Sequence, residues 1–480
     1  MATGRFLLNL IKMKKSLIKT LNNHRLFLII LIIAAALRFY RLPEMAYFDF
    51  DQAYAANFAY DVLREFPIRM IGQGLSIEGL FMGPIYFYFL VPFYALFHLH
   101  PLGGAIGSVF LGLGIITAYY FFGSKLFGKP AGLIAAFLGT VLFREIESDW
   151  SATPAFSSKL LVLVTWYCFY QYWQGKTKYL PLLGFVFGLY TSFHPVLFPF
   201  YLVFLILFLI KRKLPDFKTI FLSIIAFIAP LAPLILFEFL HNFLEVKRLF
   251  ELITGPKSPS TALSLTKLLK YTHLVINEPQ NMLGLNLHFP ALLSGLLLLM
   301  AVIFTLKRVS FWKESFHLLM LLITLLVFIL YYFFLPIHVP EYYFIAPIVL
   351  LFFYFSGVLG FWTTRPLGKI GVIVFLTWVT LVNVQTLYFS KWTNPKLITL
   401  AHKDTIVKAI VREQPQNEPF FVSYLNIPGW NFGFDYFFKL YGYKPEDKGV
   451  ENAIYTIVIP KALSIDSIDI SSGNIGLILP

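Results

Sequence analysis

Long apolar runs separated by short polar segments repeat along most of this chain. The first is Leu26–Leu37, and later ones lie at about 103–122, 130–143, 157–173, 179–193, 195–210, 217–239, 290–306, 314–336, 342–362 and 369–388. Runs approaching the roughly 20 residues that cross a bilayer as a helix predict membrane spans. The stretch 84–97 is different. At about 14 residues it is short for a span, and Tyr86, Phe87, Tyr88, Phe89, Phe93, Tyr94 and Phe97 favour the headgroup level. It predicts an interfacial or re-entrant helix, with Gly83 permitting a turn and Pro84 suiting a first helical position. Before it, Tyr54, Phe58, Val62 and Phe66 recur every fourth residue and Pro67 follows. That spacing predicts a helix over 52–66, its apolar face on the bilayer surface. Past about Lys391 the pattern changes. Phe420–Leu425, Ala453–Pro460 and Gly476–Pro480 read as strands flanking a helix near Phe432–Tyr441. Residues 1–390 thus predict a transmembrane domain, and 391–480 a small α/β domain.

Composition agrees with a membrane protein. Of 480 residues, 58% are hydrophobic and 13% charged, where roughly 25% charged is typical of soluble domains. The net charge of +14 does not point to nucleic acid, because the basic residues cluster in short loops between apolar runs. With Cys168 as the single cysteine, an intramolecular disulfide or thiolate metal site is excluded. Arg5, Lys12, Lys14, Lys15, Lys19 and Arg25 precede the first apolar run, and Arg38-Phe39-Tyr40-Arg41 is a poor cleavage site. A retained first helix with a cytoplasmic N-terminus is favoured over a cleaved signal peptide.

Loop charge sets the orientation. If 84–97 does not span, then Lys125/Lys129, Lys176/Lys178, Lys211-Arg212-Lys213, Lys307-Arg308/Lys313 and Arg365/Lys369 all fall on the cytoplasmic side. If it spans, all move outside, against the positive-inside rule. The expected fold is therefore mainly α, a polytopic bundle of about eleven spans. It has interfacial helices in the first outer loop (41–102) and an extracytoplasmic C-terminal α/β domain.

That topology gathers polar residues on one face. Asp49 and Asp51 stand at the N-terminal end of the 52–66 helix, where carboxylates complement the helix dipole. Capping, metal binding as Asp-x-Asp, and general base catalysis are all open to them. Glu78 is either a solvated loop carboxylate or a substrate contact. In the second outer loop, Arg144 either snorkels to lipid phosphates or binds a phosphate leaving group. Asp149 and Trp150 follow, suited to holding a sugar, although Trp is also a routine interface anchor. His194, beside Pro195, is either a structural hydrogen-bonder or a site residue. His338, Glu341, Tyr342 and Tyr343 form another outer polar cluster. No His-Glu-x-x-His, phosphate-binding Gly loop or Gly-x-Ser-x-Gly elbow is present. The spans are nearly free of acidic residues, which argues against a transporter with charges at the midplane.

In this order the motifs resemble those of the C-type polytopic membrane glycosyltransferases, particularly the branch related to protein O-mannosyltransferases and lipid A aminoarabinose transferases. The residues are Asp51-Gln52 after the first span, Gly83-Pro84-Ile85-Tyr86, Arg144 with Asp149-Trp150-Ser-Ala-Thr-Pro154, and Gly188-Leu189 through His194. Residues 26–210 carry the resemblance well and the rest by layout. Met82 and Gly83 stand where the family often has a basic residue, which shifts phosphate recognition towards Arg144, His194 or the 338–343 cluster. The resemblance implies inverting transfer of a sugar from a polyprenyl-phosphate donor to a glycan, lipid or protein acceptor at the outer face of the plasma membrane. Asp51 would be the catalytic base. Asp49, Gln52, Glu78, Tyr86, Arg144, Asp149, Trp150, His194, His338 and Tyr342 would contact substrate. No cofactor is implied, and a divalent cation is left open. A flippase for lipid-linked glycans and a glycan ligase or polymerase are the alternatives.

Overall fold

A computed structural model describes residues 23–65, 68–254, 264–283, 316–335, 339–416, 418–446, 453–464 and 467–480. The basic N-terminal stretch up to residue 22, the expected span at 290–306 and His338 lie outside these residues. What is described is mainly helical with a small C-terminal sheet. Five helices among the described residues are long and apolar enough to cross a membrane: Leu102–Phe127, Phe217–Leu240, Phe316–Phe334, Glu341–Trp362 and Pro366–Trp392. The remaining apolar helices are shorter, among them Lys129–Val141 and Pro195–Lys211.

Small residues let these helices approach. Gly184 and Gly188 lie one turn apart on the Leu180–Phe193 helix. A Cβ on either would meet the backbone of the Phe217–Leu240 helix, at 2.4 Å from Ser223 O and 2.3 Å from Phe227 O. Gly-x-x-x-Gly spacing is the pattern that brings helix backbones into contact where lipid removes the hydrophobic drive for association. Prolines set several helix starts, with Pro130, Pro181 and Pro366 in the first turn, where a missing N–H costs nothing.

The first loop forms the helices Phe50–Arg64 and Ile85–Leu96. The second is about 18 Å long at 1.5 Å per residue, well short of a roughly 30 Å hydrocarbon core. The helix expected to rest on lipid is instead covered by protein. Phe58 is buried and its ring packs on Phe87 and Tyr88, while Tyr54 meets Phe87. The second polar loop is not irregular either. Leu142 is extended, and new helical segments form at Phe143–Asp149 and Pro154–Ser157. The segment beyond Leu240, between two of the expected spans, contains the helices Leu244–Thr254 and Leu265–Met282.

Three C-terminal strands fall on the runs expected, β1 Phe421–Asn426, β2 Ile454–Ile459 and β4 Ile475–Ile478, and a short β3 Ile470–Ser472 was not foreseen; the order is β1-β2-β4-β3. β1 and β2 are parallel, and β4 is antiparallel to both of its neighbours. The Leu400–Glu413 helix was not legible as a separate element. It supplies Leu400, Ile406, Val407 and Ile410 to the core. Its first amide donates to Ala46 O at 2.9 Å, tying the C-terminal region to the first loop.

Candidate functional site

The start of the Phe50–Arg64 helix, the hairpin around residues 72–82, the Phe143–Lys159 segment, the turn at His194 and the Glu341–Phe344 turn converge on one cavity of about 970 Å³. Asp49, Asp51, Gln52, Arg144, His194 and Tyr342 line it. Glu78, Tyr86, Asp149 and Trp150 are not part of that lining.

The two carboxylates of the first motif have different partners. Asp49 is the N-cap of the helix, and its Oδ1 accepts from Lys403 Nζ at 2.7 Å. Lys403 is fully buried, and its ammonium also donates to Phe48 O and Phe432 O, each at 2.8 Å. Burial pulls the Lys403 pKa down, and Asp49 offsets part of that. Asp51, one turn position further, forms no ion pair among the described residues and is half-buried. Its Oδ1 accepts from Gln73 Nε2 at 2.7 Å. Gln73 is held on the hairpin by its own backbone carbonyl, which accepts from Met82 N at 2.8 Å. Gln52 is a strut rather than an open ligand. Its Oε1 accepts from the Asp49 amide at 2.9 Å, and its Nε2 donates to Ser151 O and to Thr153 Oγ1 at 3.2 Å.

In the same lining, Arg144 is mostly exposed and its Nη1 donates to Glu147 Oε2 at 3.2 Å. Glu147 Oε1 is shared by Lys391 Nζ at 2.9 Å and the Tyr47 hydroxyl at 2.8 Å. Burial pushes the Glu147 carboxyl up, but Lys391, Tyr47 and Arg144 together hold it below the ordinary carboxylate range. Lys159 is paired with Glu145 at 2.9 Å and donates to Ser148 Oγ at 2.8 Å. His194 sits in the turn between two helices, edge-on to the rings of Tyr342 and Tyr343. Its Nδ1 accepts from Val196 N at 3.2 Å, which leaves the proton on Nε2. Burial lowers its pKa to about 4, so the ring is a neutral donor and carries no charge near neutral pH.

Asp149 and Trp150 turn inwards. Asp149 Oδ2 accepts from the wholly buried Arg38 Nε at 2.6 Å, and Trp150 Nε1 donates to Arg38 O at 2.9 Å. Their polar atoms are committed to the first helix instead of facing the cavity. Tyr86 is buried against Phe87 and Phe193, and Glu78 is exposed on the hairpin. Gln73, Lys159, Glu145, Glu147, Lys391 and Lys403 were missed by sequence reasoning. Of these, Lys159 alone left a trace, a lone charge opening an apolar run. Among the described residues no group of three or more His, Cys, Asp or Glu side chains is arranged to hold a metal ion.

No family model matches the sequence, and no curated protein does either. Solved structures do match. ArnT from Cupriavidus metallidurans bound to undecaprenyl phosphate superposes with a TM-score of 0.61 over 95% of this chain and 98% of its own, at 11% identity. Its apo state gives 0.59 over 94% and 97%, at 12% identity. The chain shares its fold with ArnT. A weaker likeness, with a TM-score of 0.47 over 92% of this chain and 70% of the other at 13% identity, is to the oligosaccharyltransferase AglB from Archaeoglobus fulgidus in complex with an inhibitory peptide and a dolichol-phosphate. At these identities the C-type likeness concerns the fold, and the chemistry rests on the cavity itself.

Proposed function

We propose that this chain is a membrane glycosyltransferase that moves a sugar from a polyprenyl-phosphate donor to an acceptor at the outer face of the membrane, with Asp51 as the base. One observation carries the reading: Asp51 opens on a large cavity and, among the described residues, has one amide as its hydrogen-bond partner and no cation paired with it, while its neighbour Asp49 is committed to Lys403.

The chemistry suits these groups. A phosphate leaving group departs as an anion and needs charge stabilisation rather than a proton, so one base suffices. Gln73 holds Oδ1 of Asp51 and leaves Oδ2 as the oxygen that takes the acceptor's proton. The acceptor oxygen attacks the anomeric carbon as the bond from that carbon to the phosphate oxygen breaks, and the anomeric centre inverts. Arg144 is the cation with free donors on the cavity wall, since Lys159 is paired with Glu145. A guanidinium offers a planar fork to phosphate oxygens. His194 Nε2 and the Tyr342 hydroxyl add neutral donors in the same cavity. ArnT, which shares the fold, is bound to undecaprenyl phosphate, and that supports a lipid-phosphate donor here.

The test is to incubate the purified protein with a panel of polyprenyl-phosphate sugars and an extract of cell-envelope acceptors, and to measure released polyprenyl phosphate. Release with at least one donor is expected. No release with any donor contradicts the transferase reading and favours transport of a lipid-linked glycan.

A further inference from the structure

The hairpin that carries Gln73 is supported from behind by the Leu244–Thr254 helix. Glu245 is buried there, and its Oε1 accepts from Phe81 N at 3.0 Å. The hairpin tip fits closely against the same helix: a Cβ on Gly79, whose φ is +82°, would come within 2.8 Å of the Arg248 side chain. Glu245 and the stem of Arg248, three apart, thus make one stripe that faces the hairpin, with Arg248 Nη1 paired to Glu251 Oε2 at 2.7 Å. Lys247 and Glu251, four apart, make a second, exposed stripe. A third face is apolar. Val246, Leu249 and Phe250, at helical spacing, are 55%, 46% and 67% exposed.

What covers that face follows from the chain just before it. The Phe217–Leu240 helix is a 24-residue candidate span with only 11% of its most apolar window buried, so most of its apolar surface is exposed among the described residues, as on a lipid-facing helix. Its last turn still exposes Phe239 and Leu240. Asn242 and Phe243, both at positive φ, then reverse the chain, and Phe243 packs back on Phe239 with ring centroids 5.3 Å apart. Glu238 receives the amides of Glu245 and Val246 at 3.0 and 3.2 Å, fixing the second helix to the end of the first. The apolar face of Leu244–Thr254 therefore continues a lipid-exposed surface at the level where that helix leaves the membrane. A short helix with one apolar face and a polar remainder is suited to lie in the headgroup layer.

We propose that the Leu244–Thr254 helix is seated in the bilayer interface through Val246, Leu249 and Phe250, and that from there it supports the cavity-walling hairpin through Glu245 and Arg248. The wall of the cavity then rests on lipid, at the depth where the phosphate of a lipid-linked molecule lies. This inference needs the chain to span a membrane and does not depend on the transferase reading.

The test uses the full-length protein in phosphatidylethanolamine–phosphatidylglycerol vesicles. The only native cysteine, Cys168, is buried, so F250C and E251C each carry an environment-sensitive fluorophore at one site, with the unsubstituted protein as the labelling control. The expected result is that the label at position 250 emits at shorter wavelength and loses emission to a shallow nitroxide lipid. The label at 251 loses emission to aqueous iodide instead. Iodide quenching at both positions overturns the proposal. Protection of position 250 from both quenchers overturns it too, because protein would then cover the face. L249C, scored in the same way, replaces F250C if that variant does not fold, and the same outcomes decide.

Discussion

Asp49 and Asp51 are separated by one residue and differ in their partners, and that difference makes the site. Removing Gln73's donor with Gln73→Leu should lower kcat by about tenfold, the scale of a hydrogen bond to a charged group. The donor KM should stay unchanged, because Gln73 touches the base and not the phosphate. Asp149 belongs to the fold. Asp149→Ala leaves Arg38 buried without its counter-charge, a loss of about 3–5 kcal/mol. Folded protein recovered in detergent should fall sharply, and a double replacement of Arg38 and Asp149 by leucine should recover much of it. His194 gives a pH prediction with a definite sign. Its pKa is about 4 when folded and about 6.5 when unfolded. Above 6.5 both states are neutral and the group has no effect. As pH falls from 6.5 towards 4, the unfolded state takes up the proton first, and stability drops by up to about 1.4 kcal/mol per unit. The melting temperature of the wild type should therefore fall over this window more than that of His194→Gln. These residue-level distinctions were only partly legible. The position of Asp51 at a helix start is a local property and could be read. The inward turn of Asp149 and Trp150 depends on Arg38, more than a hundred positions earlier, and no local pattern reports such a partner.

At the level of elements, length and apolar periodicity located the long apolar helices, the two helices of the first loop and three of the four strands. Packing decided the rest. The 52–66 pattern has an apolar face that fits lipid or protein equally, and the Ile85–Leu96 helix claims it through Phe87 and Tyr88. The Leu400–Glu413 helix has a weak signal because part of its role is polar: Lys403 in its first turn reaches back to the first loop. Lys403→Met deprives Phe48 O, Phe432 O and Asp49 of their donor. Because Asp49 is half-exposed and solvent screens it, the expected cost is about 1–3 kcal/mol. A lower melting temperature should accompany reduced sugar transfer, while Asp49→Asn, which keeps both carbonyl contacts, should be milder in both respects.

Across the whole molecule, the cavity assembles polar segments drawn from five separate parts of a largely apolar chain. Most of these segments are ones that alternating spans would bring to one face. Which loop residues point into the shared space depends on side-chain pairing across the loops, and there the sequence was silent. The same topology predicts that a cysteine at Lys176 is labelled from the cytoplasmic side, and one at Arg144 from the opposite side. The central claim is that Asp51 accepts the acceptor's proton in this cavity, and it has a direct measurement. Release of polyprenyl phosphate from the preferred donor should be compared between wild type and Asp51→Asn, both purified as folded protein. The expected loss is roughly 10²–10⁴-fold in kcat, the contribution of a positioned base, with donor binding retained. Release at the wild-type rate by Asp51→Asn would contradict the account.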